Sequence, residues 1–181
     1  MREGKVNDLL GLALFKVLDC YLYKDGGIAL VAERRFYHAS SQYATTFPDE
    51  VIVMKLSPNG KSLWQTVVSK KGTGFLTGYA MVHKGENDLN IIFSGNDKNL
   101  EGMRGGAATP YDATIGRNGV VFITKVPSNG EREVGLIPNY SKERGWYIVQ
   151  SSKFQAINEK SVLLFLKYGN RDSFKLTRVS L

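Results

Sequence analysis

The chain has few of the residues that build metal centres, disulfide frameworks or membrane helices. Its one cysteine, Cys20, excludes an internal disulfide and a cysteine-rich zinc site. The two histidines, His38 and His83, are too few for a histidine-based metal centre. The apolar run at 9–17 is interrupted by Lys16 and is much shorter than the ~18 residues of a membrane helix. We therefore expect no metal, no cofactor and no membrane span.

The charge is basic but dispersed. The 181 residues carry 24 Lys and Arg against 17 Asp and Glu, which gives a net charge of +7. No basic run exceeds two residues, as in Arg34-Arg35 and Lys70-Lys71. Surfaces that bind nucleic acid usually show local clusters of positive charge. The pattern therefore argues against a nucleic-acid partner and fits charge spread over a single globular domain.

Short runs rich in Val, Ile, Phe, Tyr and Thr, separated by Gly, Asn, Asp and Pro, dominate the chain. This pattern is typical of β-strands joined by tight turns. It predicts eleven strands, at about 13–23, 27–37, 50–57, 61–68, 77–84, 88–95, 119–126, 131–137, 147–156, 160–168 and 172–180. The segment 6–17 fits either a strand or a helix.

An internal repeat organises these strands. Residues 51–60 align with residues 121–130, which places Lys55 opposite Lys125. The preceding strand at 28–33 resembles 89–94 and 162–167. Self-similar units of four strands are typical of β-propeller blades. The alternative is a β-sandwich or barrel whose hairpins resemble one another.

The predicted fold class is therefore all-β, with antiparallel four-stranded units arranged as in a β-propeller. The units lie at about 11–68, 75–137 and 145–181, and the last has only three predicted strands. Propellers typically have about four to eight blades, so three blades form an incomplete ring. We expect residues 1–10, a second chain or further sequence to complete it.

Three segments carry a family resemblance. The residues Asp25–Glu33, Asp49–Trp64 and Asn90–Asn99 resemble uncharacterised propeller-like repeat proteins of Bacteroidetes. The resemblance implies a secreted or cell-envelope protein and supplies no catalytic residues. The opening residues 1–5 show no export signal, which is typical of a cytoplasmic protein.

Binding residues are expected on the longer connections at 39–50, 69–77, 97–118 and 137–145. In an antiparallel four-stranded unit these connections lie at the end opposite the tight turns, and binding sites are often on such loops. Aromatic and basic side chains together suit a protein or glycan partner. The candidates are Tyr43, Phe47, Arg104, Tyr111, Tyr140 and Arg144. This hypothesis describes a non-catalytic binding or scaffold module.

A carbohydrate-active hydrolase is the alternative hypothesis. Glu101 and Asp112 could serve as the pair of carboxylates that glycosidases use. The sequence contains no nucleophile elbow, phosphate loop or dinucleotide-binding motif. Cys20 is expected to be a small buried apolar residue rather than a nucleophile.

Overall fold

The part of the chain that the structure describes is mostly β-strand. The computed structural model describes residues 15–39, 44–70, 80–105, 119–137, 147–149, 154–168 and 174–181. The strands are β1 Phe15–Leu22, β2 Ile28–Ala39, β3 Ala44–Leu56, β4 Ser62–Ser69, β5 Met81–Lys84, β6 Asp88–Asn96, β7 Gly119–Pro127, β8 Glu133–Leu136, β9 Tyr147–Val149, β10 Gln155–Asn158, β11 Ser161–Tyr168 and β12 Phe174–Ser180. A 3-10 turn at Asp97–Asn99 leads into one short helix, α1, at Leu100–Arg104.

The strands form three antiparallel sheets that follow one another along the chain. The first sheet has the order β1-β2-β3-β4 and the second has the order β5-β6-β7-β8. In the third sheet, β12 pairs along one edge of β11, while β9 and β10 share the other edge. The predicted all-β class with four-stranded antiparallel units is confirmed. Within the described ranges, no sheet closes into a barrel.

The repeat seen in the sequence is also a repeat in strand register. Lys55 on β3 pairs with Ala29 on β2, and Lys125 on β7 pairs with Asn90 on β6. Ala29 and Asn90 are themselves aligned in the repeat. In the third sheet, Arg178 on β12 takes this position opposite Leu163. A basic residue therefore stands at the same point of all three sheets.

The second sheet is packed on both faces, because successive side chains of a strand point to opposite sides. Ile91 and Phe93 of β6 face the first sheet, whereas Ile92 faces the third. The first interface buries Ala29, Val31, Val51, Val53, Leu89 and Phe122, among others. The second interface buries Met81, Val121, Val162, Leu164, Leu166 and Val179, among others. The three sheets therefore stack in chain order.

The predicted loop at 39–50 is wrong for most of its length. β2 and β3 remain paired up to Ala39 and Ala44, so Phe47 lies on a strand opposite Phe36. The segment is rich in Phe, Tyr and Thr, residue types with high β-strand propensity. Pro48 is accommodated beside a register shift in β2, where a ladder hydrogen bond is not required.

Cys20 is exposed, so its predicted burial is wrong. A register shift between Val17 and Asp19 changes which residues of β1 face inward. Cys20 pairs with Leu30 on the outer face of the first sheet, opposite the face that carries Val31. Of the segment 6–17, the structure describes Phe15–Val17, which belongs to β1.

The region 97–118 begins with helical structure rather than an open loop. The side chain of Asn96 caps the 3-10 turn by accepting a hydrogen bond from the Lys98 N–H at 3.1 Å. Met103 of α1 is buried in the core between the first and second sheets. None of the helices in the part of the chain that the structure describes has the length and apolar character of a membrane span.

Candidate functional site

The stacked sheets have two chemically different ends. Consecutive strands are antiparallel, so their connections alternate between one end of a sheet and the other. The turn end carries the tight turns at 23–27, 57–61, 85–88, 127–130 and 158–161. The loop end carries the connections between β2 and β3, β4 and β5, β6 and β7, and β8 and β9. Of the candidate binding residues, Arg104 and the backbone of Phe47 lie among the described residues at this end.

A buried ion cluster lies on the loop-end half of the first sheet. Glu33 on β2 is fully buried, and its carboxylate accepts from Lys70 Nζ at 2.6 Å and Arg35 Nε at 2.8 Å. The backbone N–H of Ala80 donates to the same carboxylate oxygen as Lys70, at 2.8 Å. Lys70 follows β4 directly and Ala80 precedes β5 directly. Glu33 therefore fastens both ends of the β4–β5 connection.

Lys70, which lies in the predicted connection at 69–77, is buried in this cluster. The Lys70 side chain is 3% exposed, and its ammonium lies 5.9 Å from the centre of the Phe93 ring. An ammonium at that distance from an aromatic face gains a cation–π attraction. Sequence alone did not identify the cluster because its members are far apart in the chain.

Arg104 is the candidate binding residue whose side chain the structure places. It lies on α1, which Met103 anchors in the core. The guanidinium contacts Glu101 at 2.9 Å and donates from Nε to the Val134 carbonyl at 3.4 Å. About half of the Arg104 side chain, 51%, remains exposed. Arg104 is therefore oriented by its neighbours and still accessible at the loop end.

The other candidates are placed only in part. Phe47 has a backbone position on β3, in the arm formed by the long β2–β3 hairpin. Tyr43, Tyr111, Tyr140 and Arg144 lie outside the described residues. So does Asp112, the second carboxylate of the hydrolase alternative. Glu101, its first carboxylate, is 84% exposed and ion-paired with Arg104, unlike the acid of a glycosidase, which is held in an apolar pocket.

The turn end carries a polar network that sequence reasoning did not assemble. His83 is 1% exposed, and its Nε2 lies 2.7 Å from the Asn158 carbonyl in the third sheet. Because a carbonyl can only accept, Nε2 carries the proton. The Nδ1 atom, 3.4 Å from the Asn90 amide nitrogen, then accepts. Asn90 also donates to Asp88, which pairs with Lys125 at 3.0 Å.

A small polar cavity opens beside this network, between the second and third sheets. Its volume is about 220 Å³, and it is lined by residues 86–88, Asn90, Lys125, Glu159, Lys160 and Leu181. Typical small-molecule pockets are larger, at roughly 300–1,000 Å³, and mostly apolar. Among the described residues, no three His, Cys, Asp or Glu side chains are grouped so that they could hold a metal ion.

Ion pairs and burial shift several pKa values at the turn end. Lys24 in the first sheet contacts Glu86 in the second at 2.7 Å, which lowers the pKa of Glu86 and raises that of Lys24. A hydrogen bond from Lys55 lowers the pKa of Asp25. Burial raises the pKa of Tyr23 to about 12. These charges join the sheets rather than surround a reacting centre.

Comparison with known proteins gives no family. No family model matches the chain, and no curated protein matches it. Among solved structures, the chain is similar to a Synechocystis apocarotenoid oxygenase carrying a tryptophan-to-alanine substitution, with 16% identity and a TM-score of 0.29. The match covers 78% of this chain and 26% of that one. A likeness this weak carries no argument about function.

Proposed function

We propose that the chain is a non-catalytic binding module of the β-propeller type that recognises a protein or glycan partner through its loop end. Each four-stranded sheet is then one blade, and the third blade carries three strand positions. We further propose that the module belongs to a secreted or cell-envelope protein, as the sequence resemblance implies.

The observation that carries this proposal is the double attachment of the β4–β5 connection to Glu33. Lys70 and the Ala80 N–H bind the same buried carboxylate oxygen, so both ends of this connection are held against the sheet. Binding residues on loops are effective when a rigid scaffold positions them. At the loop end, the β4–β5 connection is therefore held at both of its ends by the buried Glu33 carboxylate.

The accessible chemistry at this end suits recognition of an acidic or hydroxyl-rich surface. Arg104 has donors beyond those that contact Glu101 and Val134. In the sequence, Tyr111 lies between β6 and β7, and Tyr140 lies between β8 and β9. Tyrosine and arginine are enriched among residues that dominate binding energy. The net charge of +7 would also speed association with an acidic partner.

A direct test uses a glycan array and a site-specific photo-crosslinker in parallel. The purified chain is applied to the array alongside the triple variant Arg104→Ala, Tyr111→Ala, Tyr140→Ala. The matched control is Lys61→Ala, at the exposed turn between β3 and β4. For protein partners, a photo-reactive amino acid replaces Arg104 in one sample and Lys61 in another, and both are exposed to a cell-envelope extract.

We expect the chain and Lys61→Ala to bind the same glycans and the triple variant to lose at least tenfold in affinity. For a protein partner, a crosslink to a protein of the extract should form from position 104 and not from position 61; a crosslink between two copies of the chain does not count as partner binding. Equal binding by all three proteins would overturn the site. If the chain binds no glycan on the array and no crosslink is specific to position 104, the proposed binding function is wrong.

A further inference from the structure

The first and third sheets each have an incompletely covered outer face. The inward residues of the first sheet, such as Val31 and Val53, are fully buried. On its outer face, Val17 is 62% exposed and Leu22 is 68% exposed. Leu22 pairs directly with Ile28, which is 36% exposed, so these side chains form one apolar strip. On the third sheet, Leu176 is 54% exposed opposite Phe165.

The second sheet shows what such faces look like when they are covered. Every residue of β6 from Leu89 to Asn96 is buried, because a neighbouring sheet lies against each face. Among the described residues, the first and third sheets have this cover on one face only. Large exposed apolar faces are uncommon on monomeric proteins and often mark an interaction surface.

The contacts between sheets repeat at both existing interfaces. Tyr21 pairs with Ala29 and His83 pairs with Asn90, so they occupy equivalent positions. Tyr21 donates to the Gly85 carbonyl in the turn of the second sheet. His83 donates to the Asn158 carbonyl in the turn of the third sheet. The equivalent residue of the third sheet is Gln155, which pairs with Leu163 and is exposed.

The first sheet has the counterpart of the turn that the second sheet uses to contact its preceding neighbour. Its turn at 57–60 has the same form as the turn at 127–130, with Gly60 at φ +81° and Gly130 at φ +82°. The second of these turns is seated on the first sheet, where Lys55 and Trp64 both donate to the Ser128 carbonyl. A Cβ added at Gly60 would meet no atom within 4 Å. The turn at 57–60 therefore has room for a neighbouring sheet of the kind that packs against the turn at 127–130.

We propose that the occupant of both outer faces is a second copy of this chain. The first sheet of each copy packs on the third sheet of the other, which extends the interface already present twice in the chain. Gln155 then faces the β1–β2 turn of the partner, at the position of Tyr21 and His83. Arg178 faces the partner's turn at 57–60, at the position from which Lys55 contacts Ser128. Two copies form a closed ring of six sheets, and this inference rests on the propeller-type stacking proposed above.

The symmetry of this ring makes it testable by complementation. A two-fold ring has two equivalent interfaces, each between a first sheet and a third sheet. Leu22→Asp damages the first-sheet side, and Leu176→Asp damages the third-sheet side. Both side chains are more than half exposed in the single chain, so the fold of each variant should persist. When the two variants are mixed, one interface carries both changes and the other carries neither.

The experiment is light scattering after size exclusion, with circular dichroism as a check of folding. We expect about 40 kDa for the chain, twice its 20.1 kDa, and about 20 kDa for each aspartate variant alone. The mixture should regain a species near 40 kDa. Cys20 supplies a second readout, since it lies on the outer face of the first sheet. Its reaction with a maleimide should be at least tenfold slower in the dimer than in Leu176→Asp.

A mass of about 20 kDa for the unsubstituted chain would overturn the proposal. A range of oligomers larger than the dimer would also overturn it, because the ring would then not close. A dimer that survives Leu176→Asp would also overturn it, because the third sheet would then not be in the interface. The control Arg104→Ala, at the loop end, should remain dimeric even if it loses partner binding. Loss of the dimer with intact partner binding, or the reverse, therefore separates this proposal from the proposed function.

Discussion

Tyr21 and His83 stand at the same position of successive sheets and make the same contact with the next sheet. Tyr21 Oη donates to the Gly85 carbonyl at 3.0 Å, and His83 Nε2 donates to the Asn158 carbonyl at 2.7 Å. A phenol and an imidazole thus serve one structural purpose, which is to hold the turn of the following sheet. The two interfaces differ in exposure, because Tyr21 is partly buried and His83 is 1% exposed.

This difference predicts unequal costs for removing the two donors. His83→Leu should lower the free energy of unfolding by about 1–3 kcal/mol, since it leaves the buried Asn90 amide without its imidazole acceptor and removes the donor to the Asn158 carbonyl. Tyr21→Phe should cost less, about 0.5–1.5 kcal/mol, because water can reach part of that contact. Urea denaturation of both variants measures the two values. A larger loss of stability for Tyr21→Phe than for His83→Leu would contradict the prediction that the more buried contact contributes more.

Gly60 and Gly130 form a matched pair for testing how the second sheet is seated on the first. Alanine at either position is strained by the positive φ, at a cost of about 1–2 kcal/mol. A Cβ at Gly130 would also lie 2.6 Å from the Trp64 ring. Gly130→Ala should therefore cost about 1–3 kcal/mol more than Gly60→Ala. Thermal unfolding of both variants gives the difference.

The extra cost at Gly130 should depend on Trp64. In a Trp64→Leu background the smaller side chain relieves the contact, so the two glycine variants should become similar. If the difference persists without the indole, the contact between Gly130 and Trp64 is not its cause.

The Glu33 and Lys70 pair predicts strong coupling between two buried charges. Glu33→Gln should cost about 3–5 kcal/mol, because the buried Lys70 ammonium would lose the carboxylate that it contacts at 2.6 Å. Lys70→Met should cost a comparable amount by leaving Glu33 with one cation fewer. In the double variant neither buried charge remains unpaired, so the combined loss should be clearly smaller than the sum. A double-mutant cycle by urea denaturation tests this, and additive losses would contradict it.

The raised pKa of Tyr23 predicts that the free energy of unfolding decreases at alkaline pH. Its folded-state pKa of about 12 lies above the ordinary 10.0, so above pH 10 the phenol ionises in the unfolded chain before it ionises in the fold. The unfolded state then binds fewer protons, and stability falls as pH rises from 10 to 12, by on the order of 2 kcal/mol. Tyr23→Phe should remove this part of the decline.

The control for Tyr23 is Tyr21→Phe, which removes the neighbouring phenol 4.7 Å away. Burial also raises the Tyr21 pKa, but that ring is more exposed, so its effect on the alkaline decline should be weaker. Chemical denaturation at pH 8, 10 and 11.5 distinguishes the variants. An unchanged decline in Tyr23→Phe would contradict the assignment.

Strands and units could be predicted from local sequence because tight turns and runs of β-forming residues are local properties. The turns at Asn59-Gly60 and Asn129-Gly130 have a glycine at positive φ, and their preceding strands are short runs rich in Val, Ile and Phe. The repeat of Lys55 and Lys125 then fixed a common register. The predicted strand at 27–37 already included Phe36, but the extension of β3 back to Ala44, through Phe47, was missed, because cross-strand pairing depends on two segments at once.

The candidate site was predictable only as a set of connections at one end of the sheets. Arg104 was chosen as a basic residue in a glycine-containing region, but its pairing with Glu101 and Val134 depends on α1, which the sequence pattern did not show. Cys20 was expected to be a small buried apolar residue of a predicted strand. The shift in register beside it reversed its face.

The sequence by itself determined the class of fold, the hairpin turns and the repeating unit, since each depends on residues that are close in the chain. Only the tertiary structure decided which residues meet across sheets. Glu33 binds Lys70 and the Ala80 N–H across 37 and 47 positions of sequence, and His83 reaches Asn158 across 75. Such contacts arise from the stacking of whole sheets, where buried polar groups must find partners wherever the packing brings them.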